Sequence, residues 1–438
     1  MVNMTELSAR DLKHIWHPCM QMKDFETQPL LEIRSAKGCY LYTNHGRLID
    51  GIASWWCKSL GHSHPAVIHA ISEQLVKFEH VISANTTHPL MVELAEKLAE
   101  ITGKQRIFFA SDGSSAVEIA MKLSLHANQI KGNNQRTEFA ALKNSYHGET
   151  LAALSVSDLG VYSKPYQGMG TKCHFIEHIP YFNADEPHDN DYVQQCWNQT
   201  VVFLEPIKHA LSAILVEPLV QGSGGMLCYS PAYLHLLANW AKENDIYLIA
   251  DEIMTGIGRT GSWLACSQAD VSPDLICLSK GLTGGTIPFS CVMINEEIYQ
   301  LFYDDYHKGK SFLHSHTHSG NALAIAAALA TLNTIEQDGL LEKASSLGVF
   351  MREQLNQIAE ETGYLKNVRG IGAIAAADMP FPLEMRLGKQ LEQEALSRGA
   401  LLRPLGHTVY WLPPLNIEQE TIVKLGEITL NSIMAVCS

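Results

Sequence analysis

The sequence has few basic residues for its length. Lys and Arg number 32 against 46 Asp and Glu in 438 residues, which gives a formal net charge of −14 at pH 7 and a pI near 5.8. Nucleic acids and anionic membranes both favour a basic protein surface. The composition therefore argues against either as a partner, and any phosphate bound here must be held by local donors.

Long apolar segments are also lacking at the N-terminus. Residues 1–16 alternate charged and polar residues with isolated apolar ones. A signal peptide or a transmembrane helix needs a continuous apolar stretch. We therefore predict a cytoplasmic protein with no membrane partner.

Cysteine motifs are missing although ten cysteines are present. No C-x-x-C pair or paired Cys/His spacing occurs, which predicts free and mostly buried thiols. Only His314, His316 and His318 suggest a metal, because alternate residues of a strand share one face. No carboxylate or cysteine cluster stands beside them, so no metal site is predicted.

What the chain does contain is enough apolar sequence, 46% of its residues, for a large domain and a smaller one. We predict a large domain over residues 61–334, a small α+β domain over 335–438, and an N-terminal segment, 1–60, that packs with the small domain. Short apolar runs alternate with helical patterns between 105 and 295. This alternation predicts an α/β fold with a mostly parallel sheet covered on both faces. The runs are 106–110, 213–217, 246–250, 274–278 and 291–294.

Helix signals occur in both predicted domains. Ser230-Pro231 places a proline in the first turn of a helix predicted over 232–242. In the small domain, amphipathic segments predict helices over 340–361 and 383–398. Strands are predicted there over 372–378 and 408–412.

Ligands of open α/β sheets bind beyond the carboxyl ends of the strands, so the residues after each apolar run were compared. Run 106–110 leads into Ser111-Asp-Gly-Ser-Ser-Ala-Val-Glu118. A helix that starts at this glycine turn would offer free N–H groups to a phosphate. The alternative is a capping box, Ser115-x-x-Glu118, which needs no ligand.

The next three runs end in a glycine-rich turn, a carboxylate and a lysine. The turn Gly222-Ser-Gly-Gly225 is also explained as a tight connection. Asp251 is either a solvated turn residue or a buried carboxylate that needs a cationic or N–H partner. Lys280 is either a structural lysine or one whose lowered pKa lets it condense with an aldehyde.

Together these ends supply what pyridoxal 5'-phosphate (PLP) needs. Gly113 and Ser114 would anchor the phosphate, and Lys280 would bind the aldehyde. Asp251 would keep the ring nitrogen protonated, so that the ring accepts electrons from the substrate carbanion.

These residues resemble the class III PLP-dependent aminotransferases of fold type I along nearly the whole chain. The segment Tyr247-Leu-Ile-Ala-Asp-Glu-Ile-Met-Thr-Gly-Ile-Gly-Arg-Thr-Gly261 followed by Ser279-Lys280-Gly281 resembles the class signature, and Val216-Glu-Pro-Leu-Val-Gln-Gly-Ser-Gly-Gly225 another class element. The resemblance implies catalytic roles for Lys280, Asp251 and Tyr146. Tyr146 would stack on the cofactor ring. His316 and Thr317 would reach the phosphate of the other subunit in a homodimer.

Four further segments resemble the class III members of biotin biosynthesis, which aminate 8-amino-7-oxononanoate: His14-Ile-Trp-His-Pro18, Asp50-Gly-Ile-Ala-Ser-Trp-Trp56, Ser145-Tyr-His-Gly148 and Leu402-Arg-Pro404. This resemblance implies that Trp55, Tyr146 and Arg403 contact the keto acid, with Arg259 as a second arginine. Aromatic walls bury an apolar chain, and a guanidinium binds its carboxylate. The alternatives are a core Trp pair and a surface arginine.

Two segments differ from the adenosylmethionine-using members. Cys19 stands where these commonly have a tyrosine, and the phosphate segment reads Ser315-His-Thr317 in place of Gly-Pro-Thr. Both lie where the amino donor is expected to bind. The donor is therefore left as S-adenosylmethionine or lysine.

Two other functions remain open at this point. One is a different class III activity, such as an ω-amino acid aminotransferase or a semialdehyde aminomutase, which would share every cofactor residue. The other is a binding protein that keeps the fold without turnover. Loss of Lys280 or Asp251 would mark the latter, and neither is lost.

Overall fold

The structure, a computed structural model, describes residues 5–28, 30–44, 46–166, 168–182 and 190–437. The first four residues of the N-terminal segment discussed above lie outside this range. The strands are β1 (Ile33–Lys37), β2 (Tyr40–Thr43), β3 (Gly46–Asp50), β4 (Arg106–Ala110), β5 (Glu138–Leu142), β6 (Cys173–Ile176), β7 (Leu211–Val216), β8 (Val220–Gln221), β9 (Leu227–Cys228), β10 (Tyr247–Asp251), β11 (Leu275–Leu278), β12 (Ser290–Ile294), β13 (Lys366–Arg369), β14 (Ala375–Asp378), β15 (Ala400–Leu401) and β16 (Thr408–Trp411).

Helical segments connect most of these strands, and a short 3-10 helix, Lys280–Thr283, follows β11. The helical segments are α1 (Glu6–His14), α2 (Ala53–Trp56), α3 (Pro65–Leu75), α4 (Pro89–Thr102), α5 (Gly113–Ile130), α6 (Leu151–Ser155), α7 (Gly160–Ser163), α8 (Asn190–Leu204), α9 (Pro231–Glu243), α10 (Glu296–Phe302), α11 (Ala322–Gln337), α12 (Leu340–Thr362), α13 (Leu387–Arg398) and α14 (Gln419–Cys437).

The central sheet has seven strands in the order β4-β12-β11-β10-β7-β5-β6. All neighbours pair in parallel except β12, which is antiparallel to β4 and β11. All five predicted runs are strands of this sheet, and the α/β prediction is confirmed. Two further strands of this sheet, β5 and β6, were not predicted; they are short and include alanine, histidine or glutamate.

The direction of β12 explains which strand ends carry function. Because β12 runs opposite to the other six strands, the carboxyl ends of those six meet at one edge of the sheet. The run that ends at Ile294 points to the other edge, where Asn295 caps α10 and Glu296 forms an ion pair with Arg106. Parallel strands thus gather distant parts of the chain at one edge.

Both faces of the sheet are covered, as predicted. Along β10, Tyr247 and Ile249 pack into one apolar cluster with α5, whereas Leu248 and Ala250 pack into another with α9. Successive strand residues point to opposite faces, so a strand covered on both sides must be apolar throughout. This is why β10 reads as an unbroken apolar run.

The C-terminal part forms a three-stranded antiparallel sheet, β13-β14-β16, packed with α12 and α14. A second sheet, β1-β2-β3-β15, combines both ends of the chain. In it Ile49 pairs with Ala400 and Asp50 with Leu401 in parallel. Residues 46–50 therefore form one sheet with a strand from the predicted small domain.

One local prediction was wrong, and one alternative interpretation does not hold. The helix predicted over 383–398 is a 3-10 turn, Leu383–Met385, followed by α13, because Arg386 between them has a φ of +51°. The structure also does not form the capping box that was the alternative interpretation of Ser115 and Glu118. Asp112 caps α5 by accepting from Ser115 N at 3.0 Å, and Glu118 accepts instead from Thr150 Oγ1 at 2.6 Å.

The segment α2 is a single left-handed turn. Its residues Ala53, Ser54, Trp55 and Trp56 have φ values of +47°, +44°, +72° and +71°. L-residues other than glycine pay roughly 1–2 kcal/mol each for left-handed helical backbone. We call Ala53–Trp56 the left-handed turn, and surrounding contacts must hold it.

Two findings concern the predicted absence of a membrane span and of disulfides. Among the helices of the described residues, none combines the length and apolar character of a membrane-crossing segment. All ten cysteines are free thiols, and five of them are buried.

Candidate active site

A cavity of about 560 Å³ opens at the carboxyl edge of the central sheet, between this edge and the small domain. We call it the lysine cavity, because Lys280 lines it. Its walls come from the loops after β5, β7 and β11, from the left-handed turn, and from the segment between β15 and β16. Its lining residues include Cys19, Trp55, Trp56, Tyr146, Glu149, Tyr162, Ser223, Lys280, Arg403 and Tyr410.

Lys280 occupies a left-handed position, with a φ of +43°, directly after β11. Burial lowers the pKa of its amine, while the charges of Asp251 and Glu217 act to raise it. Its Nζ lies 4.6 Å from the centre of the Trp56 ring. A lysine of lowered pKa has a larger neutral fraction, which is the form that acts as a nucleophile or base.

Asp251 ends β10 and is buried, with 5% of its surface exposed. His147 Nδ1 lies 2.8 Å from its Oδ2 and donates to it, and Ile253 N donates to Oδ1 at 3.1 Å. These partners remove the solvated-turn alternative for Asp251. His147 Nε2 is buried and has no hydrogen-bond partner.

Glu217 is a second buried carboxylate at this edge, directly after β7. It accepts from Tyr146 N at 2.9 Å and from Gly222 N at 3.0 Å. Burial raises its pKa to about 7, although these N–H groups and nearby His147 favour the charged form. Glu217 thus joins the Tyr146 segment to the glycine-rich turn.

The predicted phosphate cradle lies beside these groups. Gly113 and Ser114 form the first turn of α5, whose N–H groups have no partners within the helix. Ser114 Oγ accepts from Glu149 N at 3.3 Å. A Cβ on Gly113 would come within 3.0 Å of the Ile253 side chain, next to Asp251. The helix start therefore packs directly on the Asp251 turn.

Tyr146 is half-buried in the wall of the lysine cavity. Its hydroxyl donates to Glu149 Oε1 at 3.0 Å, and its ring meets that of Tyr162 edge-on at 6.5 Å. Burial raises the pKa of its phenol. The side chain thus faces the cavity together with a carboxylate and a second phenol.

The tryptophan pair divides between core and cavity. Trp56 is 5% exposed, and its indole N–H donates to Tyr410 Oη at 3.0 Å. Trp55 is 45% exposed and lines the cavity, and Arg403 Cζ lies 4.7 Å from its ring centre. The core alternative therefore holds for Trp56 but not for Trp55, and Arg403 is half-buried rather than a free surface group.

Cys19 and Arg259 lie in different surroundings. Cys19 is exposed and lines the lysine cavity, and its carbonyl accepts from Arg403 Nη2 at 3.4 Å. Arg259 is buried and does not line this cavity. Its Nη1 donates to the carbonyls of Ala373 and Pro413 at 3.0 and 2.7 Å, and burial lowers its pKa to about 9. Its substrate role stays a prediction.

Ser315, His316 and Thr317 line a second groove of about 1070 Å³, which we call the aromatic groove because Phe108 and Phe312 also line it. In the part of the chain that the structure describes, it shares no lining residue with the lysine cavity. These residues therefore do not meet Lys280 within one chain.

The three histidines of this segment do not converge. His314 Nε2 lies 3.2 Å from His316 Nε2, whereas the His318 ring packs edge-on against His80 at 5.1 Å. Within the described ranges, no group of three or more His, Cys, Asp or Glu side chains is arranged to hold a metal ion.

Four polar residues of the site had no assigned role in the sequence analysis: His147, Glu149, Glu217 and Asp50. All four stand in or next to quoted motifs, since Asp50, His147 and Glu217 each belong to one and Glu149 directly follows Ser145-Tyr-His-Gly148. Burial of a carboxylate is invisible in a single sequence, so their motif positions were the only available signal.

Comparison with known proteins places the chain in a family. The family described as "Aminotransferase class-III" matches residues 22–433. The chain therefore belongs to the class III aminotransferases, and it is a PLP-dependent aminotransferase of fold type I. The family, enzyme class and cofactor implied by the sequence motifs are confirmed.

Individual relatives share most of their length with this chain. It is 37% identical over 423 residues, 95% of each chain, to the adenosylmethionine-8-amino-7-oxononanoate aminotransferase of Helicobacter pylori. The crystal structure of the enzyme of that name from Methanocaldococcus jannaschii has a TM-score of 0.91 at 30% identity, with 98% of both chains covered. An amine transaminase from an uncultivated Pseudomonas species, in a PLP-bound form, has a TM-score of 0.90 at 30% identity, with 97% of this chain and 99% of that one covered.

The residues at the sheet edge fit PLP. The free N–H groups at Gly113 and Ser114 suit a phosphate, and the ordered carboxylate of Asp251 suits a protonated ring nitrogen. The buried, unpartnered His147 Nε2 leaves one polar atom that the protein alone does not satisfy. Lys280 has the lowered pKa that attachment to an aldehyde requires.

Proposed function

We propose that this enzyme transaminates 8-amino-7-oxononanoate to 7,8-diaminononanoate in biotin biosynthesis, with S-adenosylmethionine or lysine as the amino donor. One observation carries the proposal: a single cavity holds Lys280, the exposed face of Trp55 and the guanidinium of Arg403. The names of the Helicobacter and Methanocaldococcus relatives support the same substrate.

The catalytic groups divide the work by position. PLP, when bound, supplies an aldehyde and an electron-accepting ring. Asp251, oriented by His147, holds a proton at the ring nitrogen. The amine of Lys280 accepts a proton from the amine-bearing carbon of the donor and returns it, as a general base and then an acid.

Substrate recognition follows from the chemistry of the keto acid, a long apolar chain that ends in a carboxylate. Trp55 and Tyr146 provide the aromatic walls that bury the chain. Arg403 is placed to bind the carboxylate through its planar guanidinium. Arg259 remains a predicted second arginine, which would act only if its side chain left the Ala373 and Pro413 carbonyls.

The donor is expected to bind in the part of the cavity formed by Cys19, Tyr162 and Glu149. To identify it, S-adenosylmethionine and lysine are added separately to the cofactor-loaded enzyme, and transfer of the amino group to the cofactor is followed by absorbance. Only the true donor should convert the cofactor. Conversion by lysine alone would rule out adenosylmethionine as the donor.

We further propose a homodimer in which the aromatic groove is covered by a second copy of this chain. Ile82 and Leu313 are 65% and 89% exposed beside the groove, and apolar surface of this kind favours burial in an interface. In such a dimer Ser315, His316 and Thr317 would reach the site of the partner subunit. A cytoplasmic location remains a prediction from the lack of a continuous apolar stretch at residues 1–16.

A second candidate is a broader ω-amino or amine transaminase, favoured by the close structural match to the Pseudomonas amine transaminase. It would share the cofactor residues but would not require a long-chain carboxylate in the substrate. A screen of ketones with and without a terminal carboxylate separates the two. A non-catalytic protein is disfavoured because Lys280 and Asp251 are both in place.

The proposal is tested most directly with Lys280→Ala. We expect the visible absorbance of the lysine-bound cofactor to disappear and turnover to fall by about 10²–10⁴-fold or more, because the proton-transfer group is lost. Lys97→Ala is the matched control, since Lys97 pairs with Glu336 far from the cavity. Full activity of folded Lys280→Ala would overturn the assignment.

A further inference from the structure

The left-handed turn Ala53–Trp56 is an unusual element for its sequence. All its residues have φ between +44° and +72°, and none of them is glycine. Side chains with a Cβ rarely adopt this backbone, and runs of such residues are rarer still. The turn must therefore be held by contacts from outside its own backbone.

A buried carboxylate, Asp50, supplies these contacts. It ends β3 and has 0% of its surface exposed. Its Oδ1 accepts from Ser54 N at 3.0 Å, and its Oδ2 accepts from Ser54 Oγ at 2.6 Å. His62 Nε2, at 2.8 Å from Oδ2, donates a third bond, and Ile52 N donates a fourth to Oδ1 at 3.4 Å. Two of these donors belong to the turn itself, so Asp50 fastens the centre of the turn to β3.

The residues after the turn pack on the loop that carries Lys280. Ser59 Oγ donates to the carbonyl of Gly281 at 3.0 Å. A Cβ on Gly285, whose φ is +65°, would come within 2.7 Å of the Cys57 carbonyl. The segment that directly follows the left-handed turn is therefore in contact with the loop that carries Lys280.

The turn also decides which way the two tryptophans face. Trp56 points inward, under the Lys280 amine and onto Tyr410 of the small domain. Trp55 points into the lysine cavity and carries Arg403 on its ring. A right-handed turn would direct both side chains differently, because the sign of φ sets the direction of each Cα–Cβ bond.

We propose that Asp50, together with His62, is a positioning residue for the substrate wall: it holds the left-handed turn so that Trp55 faces the cavity beneath Arg403. Asp50 does not itself touch the substrate. The inference rests on the proposed function only in that a long apolar keto acid is taken to lie along Trp55. On this inference, the left-handed turn determines the selectivity of the enzyme for the chain length of the keto acid.

The first test compares Asp50→Asn with the wild type, using a long-chain and a short-chain keto acid as acceptors. Asparagine keeps the size of the side chain but places a donor where Ser54 and His62 both donate. We expect KM for the long-chain acid to rise at least about tenfold, with kcat little changed and KM for the short acid unaffected. Near-UV circular dichroism of the cofactor-free protein should change, since the environment of Trp55 changes.

Glycine substitutions provide the decisive arm, because glycine adopts the left-handed region without strain. Ser54 has a φ of +44°. When Ser54→Gly is added to Asp50→Asn, the KM for the long-chain acid should fall most of the way back to the wild-type value, and the dichroism should return with it. Ser63→Gly is the matched control. Ser63 also has a positive φ, +52°, but it is exposed and lies outside the turn. It should restore neither property.

Several outcomes would overturn the inference. These are equal KM changes for the long and short acids, rescue by Ser63→Gly as strong as by Ser54→Gly, and unchanged dichroism in Asp50→Asn. If Asp50→Asn does not fold, His62→Leu carries the same test, since it removes one donor to Asp50 and should raise the KM for the long-chain acid alone. A wild type that binds PLP but does not aminate the long acid would contradict the proposed function, while the dichroism and its glycine rescue still judge the role of Asp50.

Discussion

The two walls of the lysine cavity are built from opposite kinds of backbone. One wall is the carboxyl edge of the central sheet, where Glu217, Asp251 and Lys280 follow regular strands. The other is the left-handed turn Ala53–Trp56, with Arg403 stacked on Trp55. The first wall carries the cofactor chemistry and the second faces the proposed substrate.

The difference lies in what holds each wall in place. The hydrogen bonds between neighbouring strands fix the strand ends, and of Glu217, Asp251 and Lys280 only Lys280 has a positive φ. The turn has no such ladder, and each of its residues is disfavoured by roughly 1–2 kcal/mol in this conformation. It depends on side-chain contacts, chiefly those of Asp50. We therefore expect changes in the first wall to affect chemistry and changes in the second to affect substrate binding.

The largest effect is expected for Asp251→Asn in the first wall. Loss of the negative charge at the ring nitrogen should lower kcat/KM by about 10²–10³-fold, by analogy with the loss of one preorganised electrostatic contact. The absorbance maximum of the bound cofactor should shift as well. Steady-state kinetics and the visible spectrum measure both.

Glu252→Gln is the matched control for Asp251. Glu252 is the next residue and is equally buried, but it accepts from Thr255 Oγ1, Ala265 N and Cys266 N. It should lower thermal stability and leave the turnover of folded enzyme intact. Equal kinetic losses in the two variants would remove the special role of Asp251.

An intermediate effect is expected for Arg403→Met in the second wall. Loss of a hydrogen-bonded charge partner amounts to about 1.5–3 kcal/mol, so KM for the keto acid should rise about 10- to 100-fold with a smaller change in kcat. Arg386→Met serves as the control, because Arg386 pairs with Asp24 on the surface. A lower kcat at unchanged KM would instead group Arg403 with the first wall, which carries the cofactor chemistry.

The smallest effect concerns pH and Glu217. Its folded pKa of about 7 lies above the unfolded value of 4.5, so the folded chain binds more protons between these values and its stability falls as pH rises through this window. This shift in the pKa of Glu217 corresponds to a contribution of about 3 kcal/mol at most to the free energy of unfolding. The melting temperature of the cofactor-free wild type should therefore fall more between pH 5 and pH 7.5 than that of Glu217→Gln. Parallel pH profiles would contradict the raised pKa.

The first wall was predictable from the sequence because the pattern that reveals it lies in short stretches of the chain. Strands covered on both faces must be continuously apolar, so the strands β7, β10 and β11 and the polar residues after them stand out. Lys280 and Asp251 were identified on this basis before any family motif was used. The strands β5 and β6 were not predicted, because they lie towards one end of the sheet and include polar residues.

The second wall was only partly predictable. The motif Asp50-Gly-Ile-Ala-Ser-Trp-Trp56 was singled out by resemblance, yet nothing in it shows that Trp55 is exposed and Trp56 buried. Likewise, the sequence left open a phosphate cradle or a capping box at Ser115 and Glu118, whereas in the structure Asp112 caps the helix and Glu118 accepts from Thr150 Oγ1. Each case was decided by a partner from another part of the chain.

By itself, the sequence determined the α/β fold, the strand ends that hold Lys280 and Asp251, and the class III signature, since these depend on runs and spacings along the chain. Only the tertiary structure decided that Glu217 and His147 surround these residues, that Asp50 holds a left-handed turn, and that Thr317 lines a separate groove. Burial, the sign of φ and long-range contacts arise only when distant segments pack together. A single sequence does not display them.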